Sequence, residues 1–242
     1  MNYLLEVFTT SYNEPKTVTR LIEWYRKRVP ECLISVFDNE SDDNGETKRI
    51  CKENNVRFST FSTNGEMDEG TLIMLRNYTW KNSPCRFAIV CDSDELVDVW
   101  EKDLIACNDG KEWNVCKCHG VELYGTKEDT PNEFWGVDSV NYSKSVLFHI
   151  PSIRDMNFAP GSHTCNPATQ DGVILRWCID RFNLYHTKMQ FFEEGLERNK
   201  SLGRKGRSQH SKSKGWGVHY DFPEEEHRRV FNIMYKQRKR YL

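Results

Sequence analysis

The sequence lacks an excess of positive charge. Its 34 lysine and arginine residues are balanced by 36 acidic residues, which leaves a formal net charge of -2 at pH 7. Proteins that bind nucleic acid through its phosphates carry a basic patch or a strongly basic domain. The charge balance therefore argues against a nucleic-acid partner.

Long hydrophobic runs are also lacking. No apolar stretch approaches the roughly 20 residues that a membrane-spanning helix needs. The chain opens on a strand-like segment that contains Glu6, where a secretory leader would have a basic start and an apolar run. We therefore expect no membrane span and a cytoplasmic location.

Regularly spaced cysteine pairs are the third absence. Nine cysteines are scattered over the 242 residues, and an odd number without regular spacing does not indicate a disulfide framework. The one tight cluster, residues 116–119 (CKCH), has no second Cys/His pair at zinc spacing. We expect reduced thiols, and a strand at this cluster.

The most informative stretch that is present is residues 86–95 (RFAIVCDSDE), a short apolar run that ends in three carboxylates. An unbroken apolar run predicts a strand buried on both faces, as in a parallel α/β sheet. Ligands bind beyond the carboxyl ends of such strands. The Asp-x-Asp pair, Asp92 and Asp94, offers oxygen ligands that suit Mg²⁺ or Mn²⁺ on a diphosphate, although the acids taken alone would be read as a solvated turn.

The segments before this stretch alternate between strand and helix. Strands are predicted at residues 3–10, 32–37 and 56–61, and helices at 17–28, 46–54 and 71–80. This order predicts a parallel sheet with right-handed crossovers. Beyond it we predict a helix at 96–106, strands at 113–124, 145–150 and 173–178, a loop at 125–132, and a helix within 183–202.

The domain organisation predicted from this pattern is one catalytic domain with an appendage. Residues 1–202 form the domain, with a nucleotide-binding half at 1–98 and an acceptor-side half at 99–202. Residues 203–242 follow as a flexible basic segment, rich in Gly, Ser, Lys and Arg, and a C-terminal helix.

Four segments, in this order, resemble the family 2 group of nucleotide-sugar glycosyltransferases, which have the GT-A fold. They are residues 9–14 (TTSYNE), 36–43 (VFDNESDD), 70–77 with its Arg-Asn pair, and 92–95 (DSDE). Residues 161–163 (GSH) and 184–188 (LYHTK) also resemble elements of a subgroup found in large viruses and bacteria. The implied fold class is α/β, with a Rossmann-like, mixed, mostly parallel central sheet flanked by helices.

The resemblance implies a metal-dependent enzyme. It would use Mn²⁺ or Mg²⁺ to move a hexosyl or pentosyl group from a nucleoside-diphosphate sugar, with a UDP-sugar favoured, to a hydroxyl acceptor such as a glycan. The location would be the cytoplasm, or the host cytoplasm if the chain is viral.

The resemblance also implies roles for individual residues. Asp38 would bind the base or ribose, Tyr12 would stack on the base, and Arg76 would face the diphosphate or hold the acidic loop. The implied metal ligands are Asp94, Asp92 and His163. The full nucleotide-sugar-binding set is Thr10, Tyr12, Asn13, Glu14, Asp38, Asn39, Arg76, Asp92 and Ser93.

The chain departs from the family pattern where the catalytic base should lie. No acid pair after the Asp-x-Asp matches the family's arrangement. Glu133 and Asp138 are the nearest candidates, because an acid beside Phe134 and Trp135 could lie against a sugar ring.

Three alternative functions stay open at this point. A nucleotidyltransferase would need a glycine-rich basic loop after the first strand, where this chain has residues 11–15 (SYNEP). A nucleotide-sugar hydrolase could use the same carboxylates, and a non-catalytic sugar-binding module would not need them. Acids with metal-ligand chemistry at a strand end favour the transferase.

Overall fold

The apolar and amphipathic segments of the first half fold into alternating strands and helices. The computed structural model describes residues 3–126 and 133–242. Its first half contains β1 Leu5–Ser11, α1 Pro15–Arg28, β2 Leu33–Asp38, α2 Glu46–Glu53, β3 Arg57–Thr60, α3 Glu69–Tyr78 and β4 Phe87–Asp92. The four strands are parallel, in the order β4, β1, β2, β3. Their carboxyl ends therefore lie at one edge of the sheet.

The second half extends the same sheet. It contains β5 Glu95–Val97, α4 Glu101–Ala106, β6 Val115–Leu123, β7 Trp135–Asp138, β8 Leu147–His149, β9 Ile153–Asp155, β10 Ala168–Thr169, β11 Trp177–His186, α5 Phe192–Lys205, α6 Gln209–Ser213, α7 Glu224–Gln237 and β12 Lys239–Arg240. β8 lies antiparallel between β4 and β6, while β11 is parallel to β6 and antiparallel to β5.

The described strands, apart from the separate pair β9 and β10, form one mixed sheet of ten strands. Its longest pairings are parallel, namely β1 with β2 and β4, and β6 with β11. The predicted class, α/β with a mixed, mostly parallel central sheet flanked by helices, is confirmed.

The central strands are buried on both faces. Val7 and Ile89 belong to a large apolar cluster with Leu21 of α1, whereas Phe8 and Val90 belong to a second cluster on the other face. Such two-sided burial explains the unbroken apolar runs, and it fixes where each strand ends. No helix of the described residues combines the length and apolar character that crossing a bilayer requires.

Two predictions in the second half were wrong. Residues 95–97 form β5, although we predicted a helix from residue 96 onwards, because Leu96 and Val97 are buried against β11 and the main core. The strand predicted at 173–178 begins only at Trp177 and continues to His186, since Leu184 and Tyr185 supply its buried side chains. Most of the loop predicted at 125–132 lies outside the described residues.

The C-terminal forty residues fold against the rest of the chain. α5 runs through residue 202, where we placed a domain boundary. Met67 pairs with the segment after α5 through two backbone hydrogen bonds: its N–H donates to the Gly206 carbonyl at 2.8 Å, and its carbonyl accepts from the Ser208 N–H at 3.0 Å. Residues 203–217 are thereby placed over the carboxyl ends of the parallel strands.

Candidate active site

A cleft of about 400 Å³ lies at the carboxyl ends of β1 and β4. One wall comes from the end of β1 and the loops after β1 and β2, with Thr10, Tyr12 and Asn39. The opposite wall comes from α5 and the segment that follows it, including Trp216 and Tyr220. Ligands of α/β proteins bind at this edge of the sheet. The cleft therefore lies where a ligand-binding site is expected.

The acidic stretch at the end of β4 forms the floor of the cleft. Asp92 ends β4 and Glu95 begins β5, so only two residues connect the strands. Asp92 keeps 28% of its side chain exposed, whereas Asp94 and Glu95 are almost fully buried. Buried carboxylates stay ionised only when they are paired or hydrogen-bonded, and each of these three acids has a cationic partner.

Arg76 of α3 is the partner of Asp92. Its Nη2 donates to Asp92 Oδ1 at 2.8 Å, and its Nη1 donates to Glu69 Oε1 at 2.6 Å. Asp68 caps the helix by accepting from the Thr71 N–H at 2.9 Å, which fixes the start of α3 and hence the approach of Arg76. Although burial opposes ionisation, Arg76 and Lys144 hold the pKa of Asp92 at about 2.

Lys144 is the partner of Glu95. It is only 2% exposed, its Nζ donates to Glu95 Oε1, and Asp92 Oδ2 lies 3.9 Å away. Burial disfavours the ammonium form, yet Glu95 and Asp92 outweigh this effect and raise the pKa of Lys144. A charged lysine is therefore held in the floor of the cleft.

Arg198 of α5 is the partner of Asp94. Its Nε donates to Glu14 Oε1 at 2.6 Å and its Nη1 donates to Asp94 Oδ2. Burial alone would raise the pKa of Asp94, but Arg198 and His186 hold it well below its usual value. The guanidinium thus bridges the loop after β1 and the acidic stretch after β4.

His186, at the end of β11, is a second contact of Asp94. Its Nε2 lies 3.1 Å from Asp94 Oδ2, and its ring stacks on Tyr142 with ring centroids 3.7 Å apart. Burial favours the neutral imidazole, but the carboxylates of Asp94 and Glu122 raise the pKa of His186.

Two further lysines line the cleft and form no ion pair within 4 Å with any carboxylate of residues 3–126 or 133–242. Lys188 has its ammonium 4.6 Å from the Tyr220 ring centroid and 3.5 Å from His219 Nε2. Lys205 has its ammonium 3.8 Å from the Tyr12 ring centroid and donates to the Asn39 carbonyl at 2.8 Å. Burial, reinforced by Arg198, lowers the pKa of Lys188 to about 8.

Most of the predicted site residues come together here. Those that line the cleft are Thr10, Tyr12, Glu14, Asn39, Arg76, Asp92, Asp94 and His163. Ser93 is buried behind them and its hydroxyl donates to Glu14.

Asn13 and Asp38 do not line the cleft. Asn13 accepts from the Asp42 N–H at 2.8 Å and has a left-handed φ of 54°. Asp38 accepts from the Ser41 N–H at 2.9 Å and from its hydroxyl at 2.6 Å. The Asn13 contact joins the two loops that bound the cleft, whereas the Asp38 contacts form a turn within the second of these loops.

The acids considered for the catalytic base lie elsewhere. Asp138 ends β7 near the outer edge of the sheet, where it accepts from Tyr241 at 2.6 Å and Lys239 at 2.8 Å. Glu133 pairs with Arg240 at 3.3 Å. The C-terminal strand β12 pairs with β7, and side chains of residues 239–241 contact both carboxylates. Neither acid lines the cleft.

The predicted metal ligands do not assemble into a metal-binding group. Within the described ranges, no cluster of three or more His, Cys, Asp or Glu side chains is placed to hold a metal ion. Asp92 and Asp94 are engaged by arginines, and His163 Nδ1 lies 2.6 Å from the Asn141 carbonyl oxygen.

The residues that sequence reasoning missed are chiefly cations. Lys144 precedes β8, whereas Arg198 and Lys205 both lie on α5, and no local spacing connects these residues to the acidic stretch. Lys188 and His186 lie in the segment LYHTK, and no role in the site was predicted for either residue. The signal that could have found them is charge balance, because three buried acids require buried cations.

No protein-family model matches the sequence, and no curated protein matches it significantly. Solved structures give more distant likenesses. The structure of Staphylococcus aureus TarS residues 1–349 matches with a TM-score of 0.44 and 15% identity, over 84% of this chain and 65% of that one. A longer TarS structure matches with a TM-score of 0.45 and 14% identity, over 84% of this chain and 39% of that one.

A third match is a mannosyltransferase from Pyrobaculum calidifontis, in complex with GDP-Man and Mn²⁺. Its TM-score is 0.35 and its identity 12%, over 49% of this chain and 36% of that one. This chain therefore spans less than two thirds of each of these three structures. Likenesses at this distance do not extend to activity.

Proposed function

We propose that this protein is a glycosyltransferase of the GT-A type, which moves a sugar from a nucleoside-diphosphate sugar to a hydroxyl acceptor. The observation that carries the proposal is the cleft at the ends of β1 and β4. There the first loop and the Asp92-Ser93-Asp94 stretch meet five lysine and arginine side chains. A cleft with this charge pattern suits an anionic diphosphate held beside a polar, uncharged group.

The two ends of the cleft suit different parts of the donor. Tyr12 and Asn39 line one end of the cleft, where the Lys205 ammonium lies over the Tyr12 ring, and a base that stacked on this face of the ring would displace that ammonium. Arg76, Lys144 and Arg198 lie over the floor and suit the diphosphate. Guanidinium and ammonium groups bind phosphate oxygens through charge-assisted hydrogen bonds.

The chemistry follows from this placement. The oxygen of the acceptor hydroxyl attacks the anomeric carbon, and its proton passes to a carboxylate of the cleft or to water. The bond from that carbon to the diphosphate breaks, and its electron pair leaves with the nucleoside diphosphate. Fixed cations stabilise the negative charge that develops there, and such preorganised stabilisation is commonly the largest contribution to catalysis.

A divalent metal, when bound by a GT-A enzyme, supplies the same charge compensation. Carboxylates have the right chemistry to hold one. In this structure, however, Asp92, Asp94 and Glu95 are each already paired with a cationic side chain. The residues in this arrangement do not fit a metal, so we assign the compensation to the side chains of the chain itself.

The test is a turnover assay with UDP-, GDP-, CMP- and dTDP-sugars and a panel of acceptor sugars, in parallel with and without Mn²⁺. We expect one donor to give a new glycoside and free nucleotide in equal amounts. Nucleotide release that is independent of acceptor would favour a hydrolase. Donor binding without any turnover would favour a sugar-binding module.

A further inference from the structure

We propose that this protein binds the diphosphate of its donor without a divalent cation, with Arg198 taking the position that a metal would occupy between the acids. The inference rests on the proposed function, because it concerns the same donor site. It reverses the metal dependence that the sequence resemblance implies.

The acids of the cleft are paired with cationic side chains of the same chain. Three cations each lie between two carboxylates, and all three line the cleft. The groups are Arg76 with Glu69 and Asp92, Lys144 with Glu95 and Asp92, and Arg198 with Glu14 and Asp94. Every carboxylate of the Asp92–Glu95 stretch is therefore paired with a fixed cationic side chain, with five carboxylates sharing these three cations.

Arg198 is held between two buried acids, Glu14 and Asp94. Its side chain is 18% exposed, while those of Glu14 and Asp94 are 6% and 3% exposed. A cation that took its place would have to displace a guanidinium with two charged hydrogen bonds and desolvated partners. Removing one member of such a buried pair is strongly unfavourable, so the arrangement resists exchange for a metal.

Two lysines of the cleft remain without a carboxylate partner and can face a ligand. Lys188 and Lys205 line the same cleft and make no ion pair within 4 Å to any carboxylate in the described part of the chain. A donor diphosphate carries negative charge that a metal normally offsets in part. Lys188, which lies near Arg198, can offset it directly. Lys205 adds a second unpaired ammonium group at the Tyr12 end of the cleft.

The experiment is calorimetric titration of the purified full chain with UDP, GDP, CDP and dTDP, first in EDTA and then in Mn²⁺. We expect one nucleotide to bind in EDTA, with an affinity that Mn²⁺ changes less than about threefold. Binding only in Mn²⁺ would overturn this inference and leave the proposed function standing. Binding under neither condition would contradict the proposed function itself.

Two variants locate the effect. Arg198→Gln should weaken nucleotide binding in EDTA by about tenfold or more, as expected for loss of a charged hydrogen bond, and Mn²⁺ should then restore part of the affinity. Arg229→Gln removes the same charge from the exposed side of α7 and should leave binding unchanged. Equal loss in both variants would contradict a specific role of Arg198, and if Arg198→Gln does not fold, the wild-type titration alone decides.

Discussion

Asp94 is buried and yet ionised, and this combination makes it the most consequential single residue of the cleft. Its side chain is 3% exposed and contacts both Arg198 and His186. A buried charge that loses its partner keeps its desolvation cost without compensation. The stability of the fold and the geometry of the proposed donor site therefore both depend on the Asp94 carboxylate.

Replacing Asp94 with asparagine should destabilise the protein strongly, because Arg198 and His186 lose the charge they face. We expect a loss of up to about 3–5 kcal/mol in the free energy of unfolding, the range for breaking a buried ion pair. Urea denaturation measures it. Asp155→Asn is the control, since Asp155 pairs with Lys81 at the surface, where such pairs contribute about 0–1 kcal/mol.

Lys188 shows the opposite balance, because its charge lowers stability. Burial and the nearby Arg198 lower its pKa from 10.5 to about 8 in the folded chain, so unfolding takes up a proton between these values. Its cost to stability is therefore complete below about pH 8, and it decreases as the pH rises towards 10.5. Groups that a fold keeps at such a cost are frequent in functional sites.

Lys188→Met should therefore stabilise the unliganded protein near neutral pH. The difference from wild type should shrink as the pH is raised from 8 towards 10.5, and denaturation at several pH values measures it. The same variant should bind the nucleoside diphosphate more weakly. A difference in stability that did not vary with pH would contradict the assignment of the lowered pKa to this lysine.

At the scale of elements, the cleft depends on close contacts between segments that are distant in sequence. β6 lies against the short turn at Val140–Tyr142, and this turn places the Tyr142 ring on His186. The approach is possible because Gly120 has no side chain. A Cβ there would lie 2.3 Å from the Tyr142 backbone and 2.4 Å from the Ser139 carbonyl oxygen.

Gly120→Ala should push this turn away from β6 and cost about 1–3 kcal/mol, the usual range for overpacking. The displaced Tyr142 should also lower donor affinity. Gly70→Ala is the matched control, because a Cβ in the first turn of α3 meets only ordinary contacts, the nearest at 3.4 Å, and alanine favours a helix. Thermal denaturation and nucleotide titration of both variants make the comparison.

The elements also show how far sequence reasoning reaches. Unbroken apolar runs predicted β1, β2 and β4 to within two residues, because a strand that is buried on both faces needs apolar residues at consecutive positions. β5 was missed, since its three residues Glu95–Val97 owe their conformation to pairing with β11, about ninety residues later. The acids of the cleft and Arg76 were among the predicted site residues, whereas the cations Lys144 and Arg198 depend on long-range packing that no local sequence pattern indicates.

At the scale of the whole molecule, ligand binding should appear as stabilisation. A nucleoside diphosphate at a hundred times its dissociation constant should raise the free energy of unfolding by about 2.7 kcal/mol. For a chain of this size that corresponds to a rise in melting temperature of roughly 5–10 °C. A thermal-shift screen in EDTA measures it, and the Arg198→Gln variant should show a smaller rise at the same nucleotide concentration.

The nine cysteines are all free, and seven of them are buried. Burial raises the pKa of Cys32, Cys51 and Cys85 to about 11, so these thiols are poor nucleophiles in the folded chain. Only Cys165 and Cys178 are partly exposed. The buried thiols can therefore report local opening, because an alkylating reagent reaches each buried thiol only when the structure around it opens.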